Sequence, residues 1–169
     1  MSRKNSQFAY VKDKNIKNTT AKPYPASHIQ GSVVSATMVH YQLMYANDIA
    51  LLTHSKIGLN ARAALDFISV SGFSYQEFQE TFNTTVKTIQ NYVSQGMKLD
   101  AALSEKLLKS FALFDKGIEL FGSPGAFHDW LNTSAYGLGN EIPYNLMDTI
   151  TGISLIEEEL IRIAYGDLA

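Results

Sequence analysis

The C-terminal segment, residues 122–169, carries the densest series of helix-start and helix-stop signals in the chain. The pair Ser123-Pro124 predicts a helix start, because proline at the first helical position loses only an N–H group that has no partner there. Pro143 predicts a second start by the same reasoning, and Gly152 is expected to end that second helix in the left-handed conformation. These closely spaced signals leave room only for short helices.

A third helix is predicted at the end of the same segment. Ser154 and Glu157 have the spacing of a capping box, in which each side chain accepts a hydrogen bond from the backbone N–H of the other residue. Gly166 is expected to stop this helix. The segment is therefore predicted to fold as a module of three short helices with little freedom to vary.

The segment also carries an ordered pattern of specific residues. These are Trp130-Leu131, Leu138-Gly139, Pro143, Leu146, Asp148-Thr149, Gly152, Leu160, Ile163, Tyr165 and Gly166. The pattern resembles the C-terminal toxin-binding domain of Xre/MbcA/ParS-type antitoxins, and the resemblance extends over roughly residues 47–169. One departure is Asn140, where the family usually has glycine. Because asparagine tolerates positive φ, the turn is expected to survive.

The resemblance implies an antitoxin that neutralises a RES-domain toxin, an enzyme that depletes NAD, by occluding the entrance to its active site. A tail beyond a rigid helix can enter a cleft, and its acidic groups can pair with cations that hold dinucleotide phosphates. The alternative is that the helix ending serves only capping and packing. The residues expected to bind the toxin are Glu158, Arg162, Tyr165, Gly166, Asp167, Leu168 and Ala169.

Charge is distributed unevenly along the 169 residues, although the net charge is only −2. Residues 1–40 carry six Lys/Arg against one Asp, residues 41–114 carry six of each sign, and residues 115–169 carry two basic and nine acidic side chains. A basic arm and an acidic end predict two different partners. The alternative is a solubilising tail followed by a solvated acidic face.

The spacing of apolar residues predicts an all-α fold, since no long alternating strand pattern is present. Residues 1 to about 30 are polar and basic and are expected to be disordered. Residues 31–45 predict a weak helix or a strand, and residues 100–121 predict a long helix. We therefore expect three parts: a flexible basic arm (1–40), a helix-turn-helix domain (41–110) and a toxin-binding domain (111–169).

The middle part is predicted to form the helix-turn-helix. Ser74 and Glu77 have capping-box spacing and open a helix over residues 75–82, after which Asn83 or Thr84 is expected to start the next helix. A short capped helix, a turn and a second short helix are typical of this motif. The residues of the second helix expected to face inward are Val86, Ile89 and Val93.

The opposite face of that second helix presents polar side chains that suit DNA. Asn and Gln can bind adenine in a bidentate manner, Thr can contact a thymine methyl group, and Lys can reach phosphate or guanine. The antitoxin resemblance also places an Xre-like helix-turn-helix here, whereas the simpler alternative is an ordinary solvated helix face. The predicted DNA-binding residues are Thr84, Lys87, Thr88, Asn91 and Gln95.

Phosphate contacts normally dominate affinity for DNA, and this helix holds a single lysine. We therefore expect weak, salt-sensitive binding to operator DNA, strengthened in the toxin complex by avidity. The basic arm and several other cations are expected to supply further charge. These cations are Lys56, Arg62, Lys98, Lys106 and Lys109.

Enzyme chemistry finds little support in the sequence. The chain has no cysteine, and none of its four histidines has zinc-ligand spacing, so no metal or cofactor is expected. Three consecutive glutamates, residues 157–159, fan out around a helix and cannot converge on one substrate. The aromatic residues expected to form the core between the long helix and the C-terminal module are Phe111, Phe114, Phe121, Phe127 and Trp130.

The sequence therefore predicts a cytoplasmic homodimer without membrane contact, with a RES-domain toxin and operator DNA as partners. The alternative from the same pattern is a stand-alone helix-turn-helix transcriptional regulator without a toxin partner. A third reading is a structural adaptor in which the helix-turn-helix has lost its DNA-binding function. A neighbouring reading frame that encodes a toxin would separate these three hypotheses.

Overall fold

The computed structural model of the protein describes residues 36–166, whose regular secondary structure is helical apart from two isolated β-bridges. The predicted all-α fold is thus confirmed, whereas the predicted disorder of residues 1 to about 30 lies outside the described residues. None of the described helices is long and apolar enough to cross a bilayer. The elements are α1 (residues 36–42), α2 (Asp48–Ile57), α3 (Arg62–Ser71), α4 (Tyr75–Phe82), α5 (Val86–Ser94), α6 (Ala101–Phe121), α7 (Pro124–Leu131), two 3-10 turns (Tyr136–Leu138 and Pro143–Leu146) and α8 (Ile150–Tyr165).

The long helix α6 is the central element, and α2, α3, α4, α7 and α8 all pack against it. The Phe67 ring of α3 meets the rings of Phe111 and Phe114 edge-on, each at a centroid distance of 5.2 Å. The Phe114 ring in turn meets Phe127 of α7 at 4.9 Å. One aromatic core therefore runs through both halves of the described chain. The expected boundary between residues 110 and 111 falls inside α6, and the division into domains remains a prediction.

Capping residues explain where the first helices begin. The Asn47 side chain accepts from the Ala50 N–H at 2.9 Å and starts α2. Ser74 and Glu77 form the predicted capping box of α4, with both reciprocal hydrogen bonds present. The Asp100 side chain caps α6, which ends at Phe121 as the sequence indicates. The predicted starts of α4 and α6 are confirmed because each cap acts locally and depends little on tertiary context.

The start of α5 differs from the prediction. Thr85, rather than Asn83 or Thr84, is the N-cap, and its hydroxyl accepts from the Thr88 N–H at 3.1 Å. Asn83 instead ends α4 in the left-handed conformation, with φ of 51°. Asparagine is one of the few residues that adopts this conformation readily, so Asn83 ends α4 instead of starting α5.

The predicted second helix of the C-terminal module is wrong, and so is the predicted start of the third. Pro143 begins only a 3-10 turn that ends at Leu146, and α8 begins at Ile150 with Thr149 as its N-cap. Gly152 therefore lies in the first turn of α8 and ends nothing. A Cβ atom at Gly152 would lie 1.8 Å from the Leu146 carbonyl oxygen, so glycine allows the preceding turn to approach the helix closely.

The predicted capping box at Ser154 and Glu157 is consequently absent, because both residues lie inside α8. The other predicted helix boundaries of this region are confirmed. Ser123 caps α7, which ends at Leu131, and Gly166 ends α8 with φ of 75°. Asn140 adopts φ of 67°, so asparagine replaces the glycine that the pattern leads one to expect.

Residues 36–42, which the sequence left as helix or strand, are helical. Tyr41 stacks on Phe111 with ring centroids 4.4 Å apart and donates its hydroxyl to the Asp66 carboxylate at 2.7 Å. Burial and this hydrogen bond raise the pKa of the Tyr41 hydroxyl above its ordinary value. The helix thus anchors the start of the described chain on α3 and α6.

Candidate functional site

The solvent-facing side of α8 presents one stripe of side chains along the C-terminal module. Leu155, Glu158, Arg162 and Tyr165 are spaced by three or four residues and therefore share a side of the helix. We call these four residues the outer face of α8. Three of them are among the predicted toxin-binding residues, and Gly166 follows at the helix end. The predicted contacts Asp167, Leu168 and Ala169 lie outside the described residues.

Arg162 makes intramolecular contacts that the sequence prediction missed. Its Nε and Nη2 atoms lie 2.7 and 2.6 Å from Oε2 of Glu159, whose side chain is only 1% exposed. Nη2 also donates to the Gly137 carbonyl oxygen at 3.3 Å. A Cβ atom at Gly137 would lie 2.0 Å from a Glu159 carboxylate oxygen, so a side chain at position 137 would displace the carboxylate of this ion pair. The hydrogen bond from Arg162 to Gly137 thus connects α8 to the first 3-10 turn.

Residues 135–141, hereafter the 135–141 turn, form a closed loop beside α8. The Ala135 N–H donates to the Glu141 carbonyl oxygen at 2.9 Å, and the Asn140 N–H donates back to the Ala135 carbonyl oxygen at 3.0 Å. The Ser134 hydroxyl donates to the Asn140 carbonyl oxygen at 2.8 Å. Within this turn Tyr136 is 82% exposed. A well-fixed backbone therefore presents a large aromatic side chain to solvent.

The three consecutive glutamates have three different environments, as their predicted fanning around a helix requires. Glu157 pairs with Lys116 of α6, Glu158 is exposed on the outer face of α8, and Glu159 is buried against Arg162. The first and third therefore contribute to packing. Within this run, only Glu158 presents a carboxylate to solvent for contact with a partner.

The opposite side of the module packs on α4. The His128 Nε2 atom lies 2.9 Å from Oε1 of Glu77, and the Tyr144 hydroxyl donates to the Glu80 carboxylate at 3.1 Å. Burial opposes ionisation of Glu77, but hydrogen bonds from Ser74 and His128 outweigh it and hold the pKa of this carboxyl below its usual value. Burial, assisted by Glu80, raises the pKa of Tyr144 to about 12.

Lys106 of α6 joins the two halves of the chain. Its ammonium group donates to the backbone carbonyl oxygens of Thr81, in the last turn of α4, and of Asp148, just before α8. It also lies 5.6 Å from the centroid of the Phe82 ring. Burial lowers the pKa of Lys106, with Asp148 opposing the shift. Two of the three ammonium N–H groups of Lys106 are therefore used within the chain, which leaves this lysine less available to DNA than the sequence prediction assumed.

The predicted DNA-facing side of α5 is on the surface. Lys87, Asn91 and Gln95 are exposed, whereas Thr84 and Thr88 are half-buried. The Thr88 hydroxyl lies 3.0 Å from the Thr85 hydroxyl, so the N-cap already occupies one of its hydrogen-bonding positions.

The inward side of α5 accounts for this orientation. Val86 and Ile89 are buried as predicted, and Val93 packs at the edge of the core. The remaining cations predicted to assist DNA binding differ in availability. Arg62 pairs with Asp66 at 3.2 Å, and Lys98 donates to the Ile57 carbonyl oxygen at 3.3 Å. The charge of α5 itself rests on Lys87.

The aromatic residues join α6 to the module as predicted. Phe111, Phe114 and Phe127 are fully buried, while Phe121 and Trp130 are half-buried. Trp130 stacks on Phe127 and Phe121 at centroid distances of 5.8 and 5.4 Å. The tryptophan therefore covers the edge of the core, which is a structural role.

Two shallow hollows mark the module's surface. One, of about 330 Å³, lies between α6 and α8 and is lined by apolar side chains with Lys116 and Glu119 at its edge. The other, of about 190 Å³, includes Tyr144 and Asp148. Among residues 36–166, no group of three or more His, Asp or Glu side chains is placed to hold a metal ion. The surface is thus better suited to contact with a macromolecule than to enclosing a small substrate.

Comparison with known proteins identifies the C-terminal part of the chain. Residues 116–166 match the model of the antitoxin Xre/MbcA/ParS C-terminal toxin-binding domain, which runs from the end of α6 to the end of α8. The match covers less than one third of the chain, and no curated protein matches the sequence significantly. The matched part points to an antitoxin of a toxin–antitoxin pair, with a toxin as partner. The helix-turn-helix and the RES type of toxin remain predictions.

Proposed function

We propose that this protein is an antitoxin that binds a RES-domain toxin and occludes the entrance to its active site. The match of residues 116–166 to a toxin-binding domain carries the proposal. The resemblance described for residues 47–169 supplies the RES type of the toxin. The protein acts by binding, and no catalytic step is assigned to its own side chains.

The C-terminal end of α8 supports occlusion as the mode of action. Tyr165 is 82% exposed, and Gly166 ends α8 in the left-handed conformation, so an aromatic side chain stands exposed at the end of a rigid element. Glu158 on the same face offers an exposed carboxylate. Such a group can pair with the cations by which an NAD-degrading enzyme holds dinucleotide phosphates. The segment 115–169 as a whole is strongly acidic, which favours a basic partner surface.

Coexpression tests the proposal directly. The chain is expressed together with the protein encoded by the adjacent reading frame, and growth and complex formation are both scored. Growth rescue with a copurifying complex is expected. A chain that ends at Ala164 is expected to lose protection while it retains its fold, as judged by circular dichroism. Protection by this truncated chain would refute the role of the helix end and tail, and absence of any complex with the full chain would refute the antitoxin assignment.

We also propose that the protein binds its own operator through α4 and α5, as a homodimer that matches a two-fold site. The exposed side chains of Lys87, Asn91 and Gln95 support this assignment. The single free lysine of α5 argues for weak binding that avidity strengthens in the toxin complex. These residues would read base edges, while the basic residues 1–40 contact phosphates.

A gel shift on the promoter of the gene tests DNA binding. The double variant Lys87→Ala, Asn91→Ala is expected to abolish the shift, and Tyr136→Ala, an exposed residue of the 135–141 turn outside α4 and α5, serves as the control. An unchanged shift in the double variant would eliminate α5 as the recognition helix. The alternative function, a stand-alone transcriptional regulator, is supported if the chain binds its promoter and no toxin is encoded nearby.

A further inference from the structure

The C-terminal module leaves one of its sides without an intramolecular partner. Phe127 and Leu131 of α7 are buried, and α7 packs against α3 and α6. The second 3-10 turn reaches α4 through Tyr144. The inward side of α8 is buried on α6 through Ile153 and Ile156. Among the described residues, the outer face of α8 and the adjacent 135–141 turn therefore form an exposed side of the module.

Two aromatic side chains dominate that side. Tyr136 in the 135–141 turn and Tyr165 at the end of α8 are each 82% exposed. Large exposed aromatic side chains have an unfavourable contact with water and are typical anchors of protein interfaces. Arg162 lies one helical turn before Tyr165 and binds the carbonyl oxygen of Gly137, the residue next to Tyr136. One arginine thus connects the backbone segments that carry both tyrosines.

The connection is built from buried groups rather than from surface side chains alone. Glu159 is 1% exposed and receives two short contacts from Arg162, while the absence of a side chain at Gly137 lets the carboxylate approach the turn. The turn itself is closed by backbone hydrogen bonds that join Ala135 to Glu141 and to Asn140. A surface whose backbone is fixed before binding loses less conformational entropy when a partner binds. This arrangement makes Tyr136 a preorganised anchor.

We propose that Tyr136 is a toxin-contacting anchor, which extends the toxin-binding surface from the end of α8 to the 135–141 turn. This inference rests on the proposed antitoxin function. Because Arg162 is neutralised by Glu159, the exposed charge on the outer face of α8 is that of Glu158. The surface therefore fits a partner with apolar pockets for two phenol rings and a basic side chain that meets Glu158. Glu159 and Gly137 act as positioning residues.

The test measures the affinity of the purified chain for the protein encoded by the adjacent reading frame, by calorimetry. Tyr136→Ala is expected to weaken binding by roughly tenfold or more, as removal of an interface anchor does. Tyr75→Ala, which removes an exposed tyrosine from α4, is the matched control and is expected to change affinity less than about twofold. Because the Tyr136 side chain is so exposed, the variant is expected to keep the melting temperature of the parent chain.

A second variant tests the positioning role. Gly137→Ala brings a methyl group against the Glu159 carboxylate and is expected to weaken toxin binding even though residue 137 contributes no contact of its own. Its helical content and melting temperature are measured alongside. If this variant binds the toxin as tightly as the parent chain, the positioning role is wrong.

The possible outcomes distinguish failure of this inference from failure of the proposed antitoxin function. Normal affinity of Tyr136→Ala together with weakened binding of Tyr165→Ala would overturn the inference and leave the antitoxin assignment in place. Failure of the parent chain to bind would overturn the antitoxin assignment, and the inference with it. If Tyr136→Ala instead lowers the mass of the chain alone in light scattering, the surface joins two copies of this chain, and the toxin-contact inference is wrong.

Discussion

The buried ion pair between Glu159 and Arg162 predicts a specific pattern of stability changes. The substitution Arg162→Met keeps the apolar stem of the side chain but leaves the Glu159 carboxylate, 1% exposed, without its cation. Removing one partner of a buried ion pair destabilises a protein by about 3–5 kcal/mol. Because Arg162 is 41% exposed, water screens part of this interaction, and we expect a loss of about 2 kcal/mol. In a protein of this size that loss corresponds to a melting temperature lower by about 4–8 °C.

The assay is urea unfolding followed by circular dichroism, with the free energy of unfolding extrapolated to water. The double variant Glu159→Met, Arg162→Met removes both charges, so it is expected to regain at least about 1 kcal/mol relative to the single variant. Two results would refute the reasoning. One is a loss below about 0.5 kcal/mol for Arg162→Met, within the usual range of surface substitutions. The other is a double variant no more stable than the single one, which would mean that no uncompensated charge was responsible.

Three further predictions concern the stability of the C-terminal module and of its contact with α4. Trp130→Ala should lower the free energy of unfolding by about 2–3 kcal/mol, less than for a fully buried tryptophan because its ring is half-buried, and chemical denaturation measures this. Gly152→Ala should destabilise the protein by about 1–3 kcal/mol in thermal melting, although alanine is the better helix former, because a Cβ atom would lie 1.8 Å from the Leu146 carbonyl oxygen. The Glu77 carboxyl has a lowered pKa when folded, so its stabilisation is full above its ordinary value of 4.5 and is lost as the pH falls through the folded pKa. The stability difference between the parent chain and Glu77→Gln should therefore shrink below about pH 4.5, and a constant difference across that range would contradict it.

Helix starts that depend on a single local cap were predictable from the sequence. Ser74 with Glu77, Asp100, and Ser123 before Pro124 each begin a helix where the pattern indicates, since the cap and the backbone groups that it satisfies lie within one turn.

The interior of the C-terminal module was not predictable in the same way. Gly152 has the local character of a helix stop, but its position is decided by the Leu146 carbonyl oxygen, which belongs to a different element. Ser154 and Glu157 have the spacing of a capping box, yet the same spacing also occurs inside a helix once Thr149 has started it. Long-range packing overrides the local signal in both cases, and no sequence pattern displays it.

The candidate toxin-binding surface likewise combines features that the sequence predicts with features that depend on long-range packing. The spacing of Glu158, Arg162 and Tyr165 on one side of α8 follows from helical periodicity and was predictable. The contact between Arg162 and Glu159, and its extension to the 135–141 turn, depends on how a distant loop folds back. A glycine at position 137 next to a tyrosine is the only sequence signal of that contact, and it is common in turns generally.

The series of packed rings from Phe67 through Phe114 to Phe127 has a consequence for proteolytic degradation of the protein. Because these rings sit in one interior that spans α3, α6 and α7, disturbing any one of the three helices exposes the others. A cellular protease that captures the opened state would therefore destroy both candidate surfaces in a single event. The lifetime of the C-terminal module and that of the part containing α4 and α5 would then be one quantity, governed by the same unfolding equilibrium.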